Sequence, residues 1–307
     1  MDKREKGEAG MQDGQRQRRD GFTLVELLVV IVIIGILAAL ATPAVFRAMR
    51  SVEEKAVQLE ISMLSQAVEA YRTEHGEYPP DFTDPQAVVN HLNRLFPRRS
   101  EWLTLQEVTG HIQQYNLLPT HALAFWLRGF HPNPEFPISG SDMDGNGVPD
   151  SDRQSLIEVN VKMIAGGDGD LETLPTQNDS NGFEYLTSSR GPSVPFVYFS
   201  NRSCTGCDGP YLMLSDDGPV LKQFNFSPTN QVRPYVYQKG IADNGDPIYE
   251  PMNPRTFQII SAGRDGEFDN YQNLDHIKVH RSGIGFGEGD RDNLANFSDT
   301  NLQDAIE

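Results

Sequence analysis

The sequence predicts an α+β fold, with one long N-terminal helix packed on a small antiparallel sheet. Three observations predict it. Residues 27–46 form a twenty-residue stretch with no charged side chain. An amphipathic helical pattern runs on from that stretch to His75-Gly76. Beyond it come short β-rich runs broken by Gly, Pro and Asn, ending with Phe257-Gln-Ile-Ile-Ser261.

As a helix the apolar stretch is about 30 Å long, enough to cross a bilayer core. Arg16, Arg18 and Arg19 precede it, which places residues 1–21 in the cytoplasm and the bulk of the chain outside. A removed signal peptide would be followed by a small-residue cleavage pair. Here Ala41-Thr-Pro-Ala leads straight into Val45-Phe-Arg-Ala, and Glu26 sits inside the apolar edge, where a carboxylate is costly. Pro43 lacks an amide donor and Gly35 lies two turns earlier, so the helix is expected to bend or loosen between them.

Past the apolar stretch, Val57, Ile61, Leu64, Val68 and Tyr71 recur at spacings of four and three. Such a stripe must cover something, most simply a sheet. Gly76 and Tyr78-Pro79-Pro80 end the helix, which from Phe22 to His75 spans roughly 80 Å.

Gly21-Phe-Thr-Leu-Val-Glu26, the apolar run behind it and Pro43 closely resemble the N-terminal signal of type IV pilins and type II secretion pseudopilins. The resemblance implies a type IV pilin-like fold. It also implies a prepilin peptidase that cuts between Gly21 and Phe22 and methylates the new Phe22 amine, with the helix retained. Glu26 then needs a cation in the apolar layer, and a neighbouring subunit's Phe22 amine would supply it. The chain divides accordingly into a leader (1–21), a transmembrane half-helix (22–46), an amphipathic exported half-helix (47–76), an enlarged variable region (77–255) and a C-terminal strand with acidic Gly-rich loops (256–307).

Two exported stretches extend the resemblance. Tyr71…Gly76-Glu-Tyr78-Pro79 is similar to the helix exit of the major, G-type pseudopilin, and Ser261-Ala-Gly263-Arg-Asp265-Gly266 to its last loop. That family couples these loops to calcium, which makes Asp265, Asp290 and Asp292, with Asp269, candidate ligands. The residues alone fit a metal site or a solvated acidic loop equally: calcium takes six to eight oxygens, and Gly263, Gly266, Gly283, Gly285, Gly287 and Gly289 let carbonyls turn inward.

The region from 81 to 255 is much longer than the family's variable region, which the resemblance makes a large insertion, either an enlarged loop region or an inserted subdomain. Asp84-Pro85 begins a helical run through Leu95, and His121-Ala-Leu-Ala-Phe-Trp-Leu-Arg128 reads as a second helix ended by Gly129. Segments around Val194–Ser200, 211–214 and 234–237 read as short strands. Asp142, Asp144 and Asn146 alternate oxygen donors ahead of a glycine turn, Val148 offers a carbonyl and Asp150 follows. This resembles an EF-hand-like loop, although Arg153 stands where an EF-hand has its bidentate Glu. Cys204 and Cys207, in a turn-like Cys-Thr-Gly-Cys, suit a local disulfide in an exported chain better than a redox pair or half a zinc site.

The net charge of −17 is concentrated beyond His75, and an acidic surface repels phosphates, so nucleic acid is not expected as a direct partner. Gly283-Ile-Gly-Phe-Gly-Glu-Gly lacks a P-loop lysine, His276 and His280 lack a third ligand, and neither G-x-S-x-G nor H-E-x-x-H occurs. The expectation is therefore a non-enzymatic, single-pass inner-membrane subunit with a periplasmic head. It polymerises with itself and other pseudopilins into a type II secretion pseudopilus, driven by an assembly ATPase and membrane platform. The alternatives are a type IV pilin or minor pilin serving adhesion, motility or DNA uptake, and a membrane-anchored calcium-binding recognition protein.

Overall fold

The computed structural model describes residues 22–114, 117–138, 177–178, 184–188, 194–202, 209, 211–215, 218–227, 230–268, 278–280, 282 and 286–306. Two compact units emerge, one ending at Met49 and one running from Arg50 to Glu307. The described part of the first unit is the start of helix α1 (Leu24–His75), which continues through Pro43. Around the proline, the Thr42 hydroxyl donates to the Ala38 carbonyl at 2.7 Å. Every residue from 22 to 52 is exposed.

The second unit is built on the C-terminal part of α1, from Arg50 onward. Val57, Ile61, Leu64, Val68 and Tyr71 are all buried, as their spacing requires. They pack on one face of a three-stranded antiparallel sheet formed by β3 (Val197–Ser200), β10 (Phe257–Ser261) and β11 (Leu294–Ala295), in the order β11-β10-β3. The register pairs Phe257 with Ser200 and Ile260 with Val197 on one side of β10, and Ser261 with Leu294 on the other. The long helix on a small antiparallel sheet is therefore as expected. Phe257–Ser261 is not the last strand, however, because the two-residue β11 lies beyond it.

The alternation of side chains across the sheet sorts the core in two. Tyr198, Phe257, Ile259 and Leu294 face α1, while Val197, Phe199, Ile260 and Ala295 face a second core with Tyr211, Phe224, Val232, Tyr235, Phe268 and Leu302. All five residues of β10 are buried, which matches its lack of a polar face.

Helix α2 (Pro85–Leu95) begins as read: Asp84 is the N-cap and accepts from the Gln86 amide at 2.9 Å, with Pro85 in the first turn. Helix α3 (Leu105–Gln114) was not expected, although its start carries a capping box. The Glu107 amide donates to Thr104 Oγ1 at 3.2 Å, and Glu107 Oε2 accepts from the Thr104 amide at 3.2 Å. Helix α4 (Ala122–Leu127) is wholly buried and is followed by Gly129 at φ 80°. The remaining strands form antiparallel two-stranded pairs: β1 (Gln177–Asn178) with β2 (Glu184–Tyr185), β4 (Leu212–Ser215) with β5 (Gly218–Leu221), β6 (Phe224–Ser227) with β7 (Asn230–Val232), and β8 (Val236–Ile241) with β9 (Pro247–Pro251).

Candidate functional site

The exposed apolar element begins where α1 begins. Thr23 and Glu26 form a capping box: Glu26 Oε2 accepts from the Thr23 amide at 2.8 Å and from its hydroxyl at 2.7 Å, while the Glu26 amide donates to Thr23 Oγ1 at 3.2 Å. The Thr-x-x-Glu spacing of this cap is legible in the sequence. Phe22 is 75% exposed at the tip, and Leu24, Leu28, Ile31, Ile34 and Leu37 are exposed behind it. The helix is long and apolar enough to cross a membrane, and none of that span is buried within the chain. So large an unpartnered apolar surface demands lipid or other helices. Pro43 lies inside this span, and Gly21 lies outside the described residues.

At the far end the helix is firmly anchored. Gly76, at φ 82°, donates its amide to the Arg72 carbonyl at 2.7 Å. The Tyr78 hydroxyl donates to Glu69 at 2.9 Å, and its ring stacks edge-on against Phe257. Tyr198 and Trp126 donate to the carbonyls of Pro79 and Pro80 at 2.9 and 2.7 Å. Next to this exit, Asp81 is buried. It accepts from Lys222 Nζ at 2.6 Å, from the Ser200 amide at 2.8 Å and from the Thr83 hydroxyl at 2.6 Å. The sequence held no signal for this pair, whose members lie 141 residues apart.

The C-terminal acidic loops return to the helix. Lys55 Nζ donates to the Asp299 carbonyl at 2.7 Å, Gln58 to the Ser298 carbonyl at 2.6 Å, and Arg264 lies 3.6 Å from Glu53. In these loops Asp292 Oδ2 accepts from the amides of Arg264 and Asp265 at 2.8 and 3.2 Å. Asp265 Oδ1 accepts from the Glu267 amide at 2.8 Å. Burial pushes the Asp265 carboxyl up to about 6, and the nearby carboxylates of Asp292, Glu267 and Asp290 push in the same direction.

Asp290 is in a different position from these two. It is fully buried and ion-paired with Lys278, and it also accepts from Tyr235 Oη at 2.7 Å, the Gly287 amide at 3.2 Å and Asn293 Nδ2 at 3.3 Å. These contacts do not fit a calcium ligand, because an ammonium already stands at the carboxylate and four donors engage its lone pairs. Among the described residues no three His, Cys, Asp or Glu side chains group where they would hold a metal. Asp269, the loop of Asp142, Asp144, Asn146, Val148 and Asp150, and the pair Cys204 and Cys207 lie outside the described residues.

Comparison with known proteins bears on the N-terminal segment. Residues 16–42 match the family model for the prokaryotic N-terminal methylation motif. Type II secretion system core protein G of Aeromonas hydrophila is 36% identical over 76 residues, which is 25% of this chain and 53% of that protein. The protein of the same description from Pseudomonas aeruginosa is 35% identical over 75 residues, 24% of this chain and 53% of its own. The fimbrial protein EcpB of Eikenella corrodens is 38% identical over 78 residues, 25% of this chain and 48% of its own. The chain spans about half the length of the curated relatives it matches. No solved structure matches it. With a long N-terminal helix on a small antiparallel sheet, the chain carries a prepilin-type signal, and about a quarter of it is similar to type II secretion system core protein G of several bacteria.

Proposed function

We propose that this protein is a structural, non-enzymatic subunit of a type II secretion pseudopilus, anchored in the inner membrane by α1 with its head in the periplasm. One observation carries the reading: a methylation motif opens a helix whose residues 22–52 are all exposed and mostly apolar, joined to a head with its own complete core. Prepilin peptidase cuts after Gly21 and methylates Phe22. The subunit then leaves the bilayer by packing its helix against those of its own kind and of other pseudopilins, on a membrane platform worked by an ATPase. Apolar burial drives the packing. Glu26 sets the axial position of each newcomer by exchanging its Thr23 hydrogen bonds for the Phe22 amine of a neighbour.

Glu26→Ala is the test. Cleavage and membrane insertion should persist while filament assembly falls to background in a pelleting or crosslinking assay. Filaments at normal yield would remove the proposed role of Glu26.

The similarity to a fimbrial protein supports a second reading, a pilin of surface fibres. Electron microscopy of a strain overproducing the protein separates the two, since surface fibres without any secretion defect on deletion would favour the pilin. Calcium is proposed for the loop of Asp142, Asp144, Asn146, Val148 and Asp150, on its alternating oxygen donors. Asp142→Asn with Asp144→Asn should abolish calcium uptake in isothermal titration.

A further inference from the structure

Lys278 is held by its backbone before its side chain does anything. Val279 bridges Val236 in parallel, the Val236 amide donates to the Lys278 carbonyl at 2.9 Å, and the His280 amide donates to the Val236 carbonyl at 2.7 Å. The side chain then turns inward and is fully buried. Its Nζ donates to the Phe268 carbonyl at 2.8 Å, pairs with Asp290 Oδ1 and lies 5.5 Å from the centre of the Tyr235 ring. One ammonium therefore joins three chain segments: the turn after β10, the loop before β11 and the start of β8.

We propose that this ammonium is the resident cation at the buried Asp290 of the C-terminal loops, so that this carboxylate closes on Lys278 rather than on a divalent metal. The argument is one of charge and valence. A buried carboxylate is stable only with a counter-charge and filled lone pairs. Asp290 has both, from Lys278 and from Tyr235, Asn293 and Gly287. A calcium ion seeking Asp290 would meet a positive charge already at that carboxylate and would have to displace it. It would also need six to eight oxygens. Here Asp292 Oδ2 is engaged by two amides and Asp265 Oδ1 by one, which leaves Asp292 Oδ1 as a buried oxygen without a hydrogen-bond partner among the described residues, far short of that number. Asn293, through its bonds to Tyr235 Oη and Asp290, completes a network whose members carry net zero charge around the pair. Asp290 is thus closed by the protein's own cation, and the head folds without a calcium ion on that carboxylate.

The test uses the full chain in detergent micelles, in a background carrying Asp142→Asn and Asp144→Asn so that the insertion loop contributes nothing. The melting temperature of this background should be unchanged by millimolar calcium or by a chelator. Lys278→Met should lower it by roughly ten degrees, because it strands a buried charge. Adding Asp290→Asn to Lys278→Met should recover most of that loss. A rise of several degrees with calcium in the background would overturn the proposal, and so would a double variant melting no higher than Lys278→Met. Should Lys278→Met yield no folded protein, the calcium arm decides alone.

Discussion

Gly263 and Gly76 both hold left-handed backbone, at φ +62° and +82°, but their surroundings differ. A Cβ on Gly76 would meet open space, whereas one on Gly263 would lie 2.3 Å from the Asp292 carbonyl oxygen. Gly76→Ala should therefore cost only the conformational penalty, about 1–2 kcal/mol. Gly263→Ala must also displace the 292 loop and should cost clearly more, in chemical denaturation of both variants side by side. Equal losses would contradict the close approach. The Ser-x-Gly-x-Asp-Gly resemblance pointed at Gly263 through metal binding. The structure supplies a steric reason that the sequence alone does not contain.

His91 makes a second prediction at this scale. It is fully buried, with Nε2 2.7 Å from the Tyr71 hydroxyl and Nδ1 against Glu77. A neutral ring satisfies both, donating from Nδ1–H and accepting at Nε2. Burial, with the Arg202 charge, lowers its pKa from 6.5 to about 3. The unfolded chain then binds the proton first. The contribution of His91 is complete above pH 6.5 and is lost as pH falls from there toward about 3. Stability measured between pH 7 and pH 5 should decline, and His91→Gln should flatten that slope.

At the scale of elements, α1 has two faces with opposite demands. Ile61 is fully buried against the sheet, while Leu59 is 62% exposed two residues away. Ile61→Ala should destabilise the head by about 2–5 kcal/mol. Leu59→Ala should change it by no more than about 0.5 kcal/mol, and any loss it causes should appear only in assembly. The capping box of α3 predicts a smaller effect, with Thr104→Ala costing about 1 kcal/mol. Helices α2 and α4 were legible because Asp84-Pro85 and Gly129 are strong local punctuation. Helix α3 carries an equally local signal in Thr104-x-x-Glu107, the spacing of its capping box. Strand β11 has two residues, too few for any period to register. It exists because the Ala295 and Leu294 backbones find Ile260 and Ser261. Gln258 shows the same dependence on context: its side-chain amide bonds both backbone groups of Tyr235, at 2.8 and 3.0 Å, in the interior.

For the whole molecule, the decisive feature is that both hydrophobic cores belong to residues beyond 50, while residues 22–49 bury nothing within the chain. A chain starting at residue 50 should stay folded and monomeric without detergent, whereas the chain from Phe22 should require it. Circular dichroism and size-exclusion chromatography of the two would check this, and aggregation of the shorter chain would contradict it.

By itself the sequence determined the apolar helix, the acid at position 26, the processing motif, the amphipathic stripe and the proline-marked exit. Each is written in neighbouring residues, where helical period and local chemistry act directly. Only the tertiary structure decided that the sheet is buried on both faces, that Lys222 meets Asp81, and that Lys278 meets Asp290. Those pairings join residues 141 and 12 positions apart, and their stability depends on being sealed from water together, a condition that no local pattern encodes.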